Sequence, residues 1–303
     1  MANIHIHILG AGAVGLSFGF HLSQHHQITL LTRNKQKGAF YYQENETITP
    51  IAANIADLTN LTPQDTISIC FICVKAYQLV DAFNAIQPFL TPEAKIVISH
   101  NGITDLAEIT SKLSKTQSLY FMSTSRGALK TSSNTVIQTG IGATYLGACN
   151  TDAESNIDTF YKAVFAESIS HSAIHNDITL LRWQKLMVNI AINPLTALHQ
   201  VQNGQLLKPN YATQVMNLLN EACFIAGKLG INITLAQALN SAYTVMRQTR
   251  SNNSSMAQDI KLGRKTEIDA ICGYIASEAE KLGLDAPYNR TMLEEIVRLE
   301  QTS

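Results

Sequence analysis

An α/β N-terminal domain followed by an all-α C-terminal domain is the architecture that the sequence predicts, on three observations. The first is a short β-rich run, Asn3 to Leu9, which feeds directly into Gly10-Ala11-Gly12-Ala13-Val14-Gly15 and then into helical apolar spacing as far as Ser23. The second is a series of buried-strand patterns that end in polar or basic groups, such as Thr66 to Val74 before Lys75 and Lys95 to Ser99 before His100-Asn101-Gly102. The third is a change of character near residue 175, beyond which long helical patterns follow one another: 177–199, 211–229, 234–249, 266–282 and 289–299. Residues 1–174 are therefore expected to form one domain and residues 175–303 another.

Composition narrows the function classes. A chain of 303 residues with 46% hydrophobic and 15% charged side chains can bury sizeable cores. Its formal net charge of −1 leaves no electrostatic footprint for nucleic acid or an anionic membrane, so an anion must be held by local groups. No stretch approaches the ~20 uninterrupted apolar residues of a membrane span, and no basic, cleavable leader precedes the first strand-like segment. The cytoplasm is the expected location. Five cysteines without framework spacing argue against a secreted disulfide scaffold. Cys70 and Cys73 form a C-x-x-C, but within TISICFICVK they read as buried strand residues on opposite faces, small core groups rather than a metal or redox pair. The nine histidines show no metal-ligand spacing, and no metal is expected.

Each segment then takes its place. The string at 10–15 is G-x-G-x-x-G between a strand and a helix, the context in which the pattern has physical meaning. There the first glycine makes the tight turn, the second lets backbone approach a pyrophosphate, and the third lets helix pack on strand. The free N–H groups of the helix N-terminus complete an anion site. This is the signature of a Rossmann-type dinucleotide-binding domain. The second strand, Gln27 to Leu31, ends in Thr32-Arg33-Asn34. Where an NAD site carries an acid for the ribose 2′-hydroxyl, this chain has Arg33, with Lys35 and Lys37 close behind, so NADPH/NADP is favoured over NAD. Residues 38–63 read as paired short strands or irregular connection. Lys75 and Asn101, just past strand ends, stand at the ligand-binding edge of an open α/β sheet, although surface-lysine and turn-asparagine readings also fit them. Residues 117–165 supply strands around LYFMSTS, TVIQTG and ATYLGAC and an amphipathic helix near 152–165.

In the second half, nearly every residue from Leu186 to Leu198 is apolar, so a helix there is buried. Lys185, Asn189 and Asn193 interrupt it every fourth residue and fall within about 80° of one another, a single polar stripe. Burying an ammonium and two amides without partners costs several kcal/mol, so the stripe must face fixed polar groups or a polar ligand. Pro194 removes a helical hydrogen bond beside the stripe, and the helix is expected to kink or end there. Ser251 to Asp259 is dense in small hydroxyl and amide groups that could donate to a carboxylate. Thr266 and Asp269 read as a capping-box variant opening the helix 266–282, with Glu267 a first-turn acid.

Together GAGAVG at 10–15, VKAYQ at 74–78, HNG at 100–102, WQKLMVNIAINPLTAL at 183–198, NG at 203–204 and NNSSMAQDIKLGRKTEID at 252–269 resemble the motifs of the ketopantoate reductase (2-dehydropantoate 2-reductase) family, in the family's order. The resemblance implies NADPH-dependent reduction of 2-dehydropantoate to (R)-pantoate, in pantothenate and coenzyme A biosynthesis, at a cleft between a Rossmann domain and a helical domain. It implies that Lys185 is the general acid and touches substrate, and that Asn189, Asn193, Asn203, Asn252 and Ser255 bind substrate. It further implies that Lys75, Asn101 and Glu267 are cofactor-linked, with Asn101 touching substrate too, and that Ala128 offers a backbone contact to cofactor. Hydride addition to a 2-keto acid develops charge on the carbonyl oxygen, which an ammonium can polarise and then protonate. Two other readings stand beside it: an NADPH-dependent reductase of another branched 2-keto acid, and a non-catalytic NADP(H)-sensing protein, which would have no need of a proton donor.

Overall fold

Runs of β-branched and aromatic residues in the first half form the strands of a largely parallel sheet. The computed structural model describes residues 4–33 and 38–302. Its strands are β1 (His5–Leu9), β2 (Gln27–Thr32), β3 (Tyr41–Glu44), β4 (Thr47–Pro50), β5 (Ala53–Asp57), β6 (Ile67–Ile72), β7 (Leu90–Ile98), β8 (Ser118–Thr124), β9 (Gly127–Lys130), β10 (Thr135–Gly140), β11 (Thr144–Ala148) and β12 (Ser172–Ile174). Eight of these make one sheet in the order β12-β11-β8-β7-β6-β1-β2-β5. From β5 across to β8 every neighbouring pair is parallel. Such strands are buried along their length, which is why Ile69-Cys70-Phe71-Ile72 is an unbroken apolar run. The chain steps from β1 to β2 on one side and returns through β6 on the other. The carboxyl ends of β1 and β6 therefore flank the topological switch point of a Rossmann-type sheet, where such sheets hold their ligands.

A smaller sheet, β4-β3-β10-β9, accompanies it. Residues 38–63 thus divide: β3 and β4 form a hairpin, whereas β5 joins the large sheet beside β2. β3 pairs in parallel with β10, Tyr41 opposite Thr135, a partnership too remote in sequence to be read from local pattern. The helices of this part are α1 (Ala13–Leu22), α2 (Leu79–Ile86), α3 (Ala107–Ser111) and α4 (Thr151–Val164). Asn150 caps α4, its side chain accepting from the Ala153 N–H at 3.1 Å. The C-x-x-C cysteines are buried, and burial pushes both thiols up, Cys73 to about 12, so neither offers a thiolate.

The remaining helices are α5 (Ile178–His199), α6 (Pro209–Lys228), α7 (Leu235–Gln248), α8 (Ser255–Lys261), α9 (Cys272–Lys281) and α10 (Pro287–Thr302). Among the described residues none of the helices is long and apolar enough to cross a membrane. A core of Leu186, Met187, Ile190, Leu195, Leu219, Ile225, Ile275 and their neighbours holds this part together. Its termini are capped by side chains: Thr234 and Gln237 form a capping box on α7, and the Glu221 carboxylate accepts the Tyr288 and Asn289 N–H groups at the start of α10.

Two compact units divide the chain. The first comprises the described residues up to His100 with Asp105–Ile178, and the second Asn101–Thr104 with the described residues from Thr179 onward. The unit changes at Ile178–Thr179, and the inclusion of Asn101–Thr104 in the second unit is a placement that a single boundary at residue 175 does not anticipate. Pro194 lies inside α5, which continues to His199, so the helix does not end beside the stripe. Another expectation is corrected. The helix expected over 266–282 is instead a short 3-10 turn, Ile268–Ala270, followed by α9. The Ala270 carbonyl accepts the Ile103 N–H at 2.9 Å, so it serves the docked segment rather than a continuous helix. Nor does the capping box form: the Thr266 hydroxyl accepts from the Ile268 N–H at 3.2 Å, while Asp269 pairs with Lys265 at 3.5 Å.

Candidate active site

The three glycines of the turn in the first unit have different surroundings. Gly10 has φ +111°, in the region that favours glycine, and a Cβ there would lie 2.3 Å from the Cys73 carbonyl oxygen. A Cβ on Gly15 would lie 1.9 Å from the Gly10 carbonyl oxygen, so the third glycine is what lets α1 close onto the turn. On Gly12, by contrast, a Cβ would meet nothing within 4 Å. The open side of the turn is therefore at its middle glycine, which is the N-cap of α1. Gly12 has no side chain to cap that helix and no acid stands in its first turn, so its N-terminal field is available to an anion.

The other residues expected around this turn have distinct settings. Arg33 is exposed immediately past the end of β2, whereas Lys35 and Lys37 lie outside the described residues. Lys75 follows β6 at the switch point, as the N-cap residue of a 3-10 turn, Ala76–Gln78. Ala128 lies in β9 opposite Gln138, and β9 packs against α1. The sequence reading missed Lys130, at the end of the same strand, whose Nζ donates to the Ala11 carbonyl at 2.8 Å. Its signal was available in the period of a strand, since residues 128 and 130 share a face.

In the second unit the stripe residues sit on α5. Asn193 is buried, and Lys185 and Asn189 are partly buried. Burial lowers Lys185 from 10.5 to about 8, against the opposing pull of the Glu267 carboxylate. Glu267 is not a solvated first-turn acid: only 5% of it is exposed. Its Oε1 accepts the backbone N–H of Asn101 at 3.2 Å and its Oε2 accepts the Asn101 side-chain amide at 3.1 Å. Local backbone geometry makes this possible. Gly102 has φ +75°, and a Cβ there would fall 2.2 Å from the Ala270 carbonyl oxygen, so only glycine lets Asn101–Thr104 lie against the 267–270 turn. From the other side the Glu300 carboxylate accepts the Thr266 N–H at 2.7 Å. Lys185, Glu267 and Asn101, far apart in sequence, are thus one electrostatic group.

The amide residues of this unit behave differently from one another. The Nδ2 of Asn189 is a buried donor with no hydrogen-bond partner among the described residues. Asn203 is tied down: its side-chain amide donates to Thr249 Oγ1 at 2.9 Å and its backbone N–H to the Asn252 carbonyl at 3.0 Å. Asn252 and Ser255 are exposed, whereas Ser254, one residue earlier, is the buried N-cap of α8 and lies 2.7 Å from the Thr196 hydroxyl of α5. Ser254 and Thr196 therefore fix the start of α8 against the stripe helix. Chemically, this unit offers a proton donor near neutral pH, a carboxylate that favours the charged form of that lysine, and an amide donor in want of an acceptor. That set suits a polar, anionic small molecule gaining a proton.

Two family models match the chain in succession. Residues 6–151 match the family model described as ketopantoate reductase PanE/ApbA, and residues 177–300 match the model of its C-terminal domain. A 2-dehydropantoate 2-reductase of Vibrio cholerae is 34% identical over 300 residues, covering 99% of each chain. Among solved structures, a probable 2-dehydropantoate 2-reductase from Bacillus subtilis superposes with a TM-score of 0.80 at 28% identity, over 98% of this chain and 100% of that one. D-mandelate dehydrogenase, in a ternary structure with NADH and anilino(oxo)acetate, reaches a TM-score of 0.92 at 22% identity over 99% of each chain, a likeness of fold.

Proposed function

The chain belongs to the ketopantoate reductase family of oxidoreductases, and from that premise we propose that it reduces 2-dehydropantoate to (R)-pantoate with NADPH, in pantothenate and coenzyme A biosynthesis. The observation that carries the reading is the Lys185–Glu267–Asn101 group, an ammonium with pKa about 8 in the field of a buried, amide-bound carboxylate. Bound nicotinamide cofactor supplies the hydride. Lys185 polarises the substrate's carbonyl oxygen and gives it the proton that makes the hydroxyl. Glu267 keeps Lys185 protonated, and Asn101 fixes Glu267 through two hydrogen bonds. Asn189 offers its unmatched donor to the substrate's polar atoms, and Asn193, Asn203, Asn252 and Ser255 complete the substrate-binding set. In the N-terminal unit, the open face at Gly12 and the uncapped start of α1 suit a pyrophosphate, with Lys75 and Ala128 further along the cofactor. Arg33, at the end of β2 where an acid would select NAD, suits a 2′-phosphate.

A reductase of a different 2-oxo acid shares this fold, as the D-mandelate dehydrogenase likeness makes plain, so the test must compare substrates. Purified protein with NADPH should consume it on addition of 2-dehydropantoate, with higher kcat/KM than with the 2-oxo acid corresponding to mandelate. The reverse order would replace the substrate while keeping the chemistry. No consumption with either acid, alongside intact NADPH binding, would leave the sensing protein as the better reading.

A further inference from the structure

A full positive charge stands at the glycine turn that no position of the G-x-G-x-x-G pattern supplies. Lys130 Nζ donates to the carbonyl of Ala11, the second residue of the turn, at 2.8 Å, and lies 5.8 Å from the centre of the buried Phe40 ring. Its place is built rather than accidental. β9 is held in register by β10, Lys130 opposite Val136 and Ala128 opposite Gln138, and Val136 is fully buried. Strand alternation puts Lys130 on the face that Ala128 occupies.

The charge has a use there. A helix N-terminus offers only about half an elementary charge, whereas a dinucleotide's pyrophosphate carries two negative ones. The chain's net charge of −1 adds no long-range attraction. A neutral carbonyl is a weaker partner for an ammonium than an anionic phosphate oxygen, so the contact to Ala11 is one that a phosphate can take over or share. We infer that Lys130 is the counter-charge for the pyrophosphate of the bound dinucleotide, shaping the turn through the Ala11 carbonyl and pairing with a phosphate oxygen over Gly12. The inference rests on the nucleotide-binding reading of the N-terminal unit, and it assigns Lys130 and Arg33 to different phosphates of one ligand.

Three ligands separate those assignments by binding alone: NADPH, ADP, which has the pyrophosphate without a 2′-phosphate, and 2′-AMP, which has the 2′-phosphate without the pyrophosphate. Calorimetry on the full chain with Lys130→Met should show NADPH and ADP weakened by roughly tenfold, the loss expected for a charge-assisted hydrogen bond, with 2′-AMP within about twofold of the parent. Lys130→Arg should restore ADP affinity to within about threefold, since it returns the charge. If Lys130→Met does not fold, Lys130→Gln, which keeps a donor for Ala11 without the charge, must show the same loss of ADP. Parent-like ADP and NADPH affinity in the folded uncharged variant would overturn the inference, as would equal weakening of all three ligands, the mark of a merely structural lysine. A parent protein that binds neither NADPH nor ADP would instead overturn the nucleotide-binding reading on which it rests.

Discussion

The glycine turn of the first unit and the amide stripe of the second make their sites from different materials. At the turn the surface is backbone: Gly10 and Gly15 are needed because a Cβ would strike carbonyl oxygens at 2.3 and 1.9 Å, whereas the side of Gly12 is open. On the stripe the surface is side chains, and its lysine is tuned by a group that arrives from elsewhere in the chain, Glu267, which in turn binds Asn101. A backbone site is either formed or not, and its residues are judged by whether the turn closes. A side-chain site is graded, and its residues can be moved in pKa, orientation or charge while the fold stays whole. Substitutions should therefore separate activity from stability on the stripe and join them at the closing glycines.

The largest expected effect is at Lys185, where activity and stability should move in opposite directions. Lys185→Met should lower turnover by about 10²–10⁴-fold, the range for a lost general acid, with NADPH affinity unchanged. The native state holds the Lys185 proton less tightly, at about 8, than the unfolded chain does, at 10.5. Burial of the ammonium thus opposes folding in full below pH ~8, and the penalty fades as pH rises toward 10.5. Removing it should raise stability below pH 8 by on the order of 1–3 kcal/mol. In the parent, turnover should fall as pH rises through about 8. Steady-state kinetics and thermal melting across pH 6–10 check both, and a Met variant that loses stability while keeping turnover would make the lysine structural.

At the turn the contrast is within one motif. Gly15→Ala should destabilise the protein by about 1–3 kcal/mol, the range for overpacking, and lose NADPH with the fold. Gly12→Ala should melt with the parent yet bind NADPH more weakly, because the added methyl fills the open side. Equal melting losses at both positions would mean that Gly12 is a packing residue too.

How far each site could be read from sequence follows from the same difference. Backbone requirements leave a short-range trace, since close approach at Gly10 and Gly15 demands glycine at those positions. The periodicity of Lys185, Asn189 and Asn193 likewise marked a stripe on α5. What tunes the stripe left no local trace. From local pattern Glu267 read as a first-turn acid because the residue that binds its carboxylate, Asn101, is 166 residues distant. The break of the expected 266–282 helix at Ile271 has the same cause, a tertiary contact at the Ala270 carbonyl overriding helical pattern. Lys130 was hidden in a short strand whose partner, β10, pairs in turn with β3 from nearly a hundred residues earlier.

Two graded effects come next. Arg33→Ala should remove most of the preference for NADPH over NADH, about 1–3 kcal/mol if one charge-assisted phosphate contact is lost, with no change in melting because the residue is exposed. Equal affinity of the parent for both cofactors would sink that role. Glu267→Gln keeps the shape and removes the attraction that raises Lys185, so the alkaline fall in turnover should move to lower pH. A move of one unit costs on the order of fivefold in rate at pH 8. An unmoved profile would show that burial alone sets the lysine.

The smallest effect is the sharpest test of what the amides do, because the side-chain N–H groups of Asn189 and Asn203 are in opposite states. The Asn203 side chain donates to Thr249 Oγ1 at 2.9 Å, and its backbone anchors the 249–252 loop, so Asn203→Ala should cost about 1 kcal/mol of stability. The buried Asn189 donor has no partner among the described residues, and removing an unmatched polar group costs nothing in hydrogen bonding. Asn189→Ala should accordingly melt within about 0.5 kcal/mol of the parent, while KM for 2-dehydropantoate rises and kcat changes less. The two variants measured side by side distinguish an amide kept for a ligand from an amide kept for the fold. If Asn189→Ala were the less stable of the two and bound substrate as the parent does, its amide would have to be matched within the protein, and the stripe would hold its asparagines for structure.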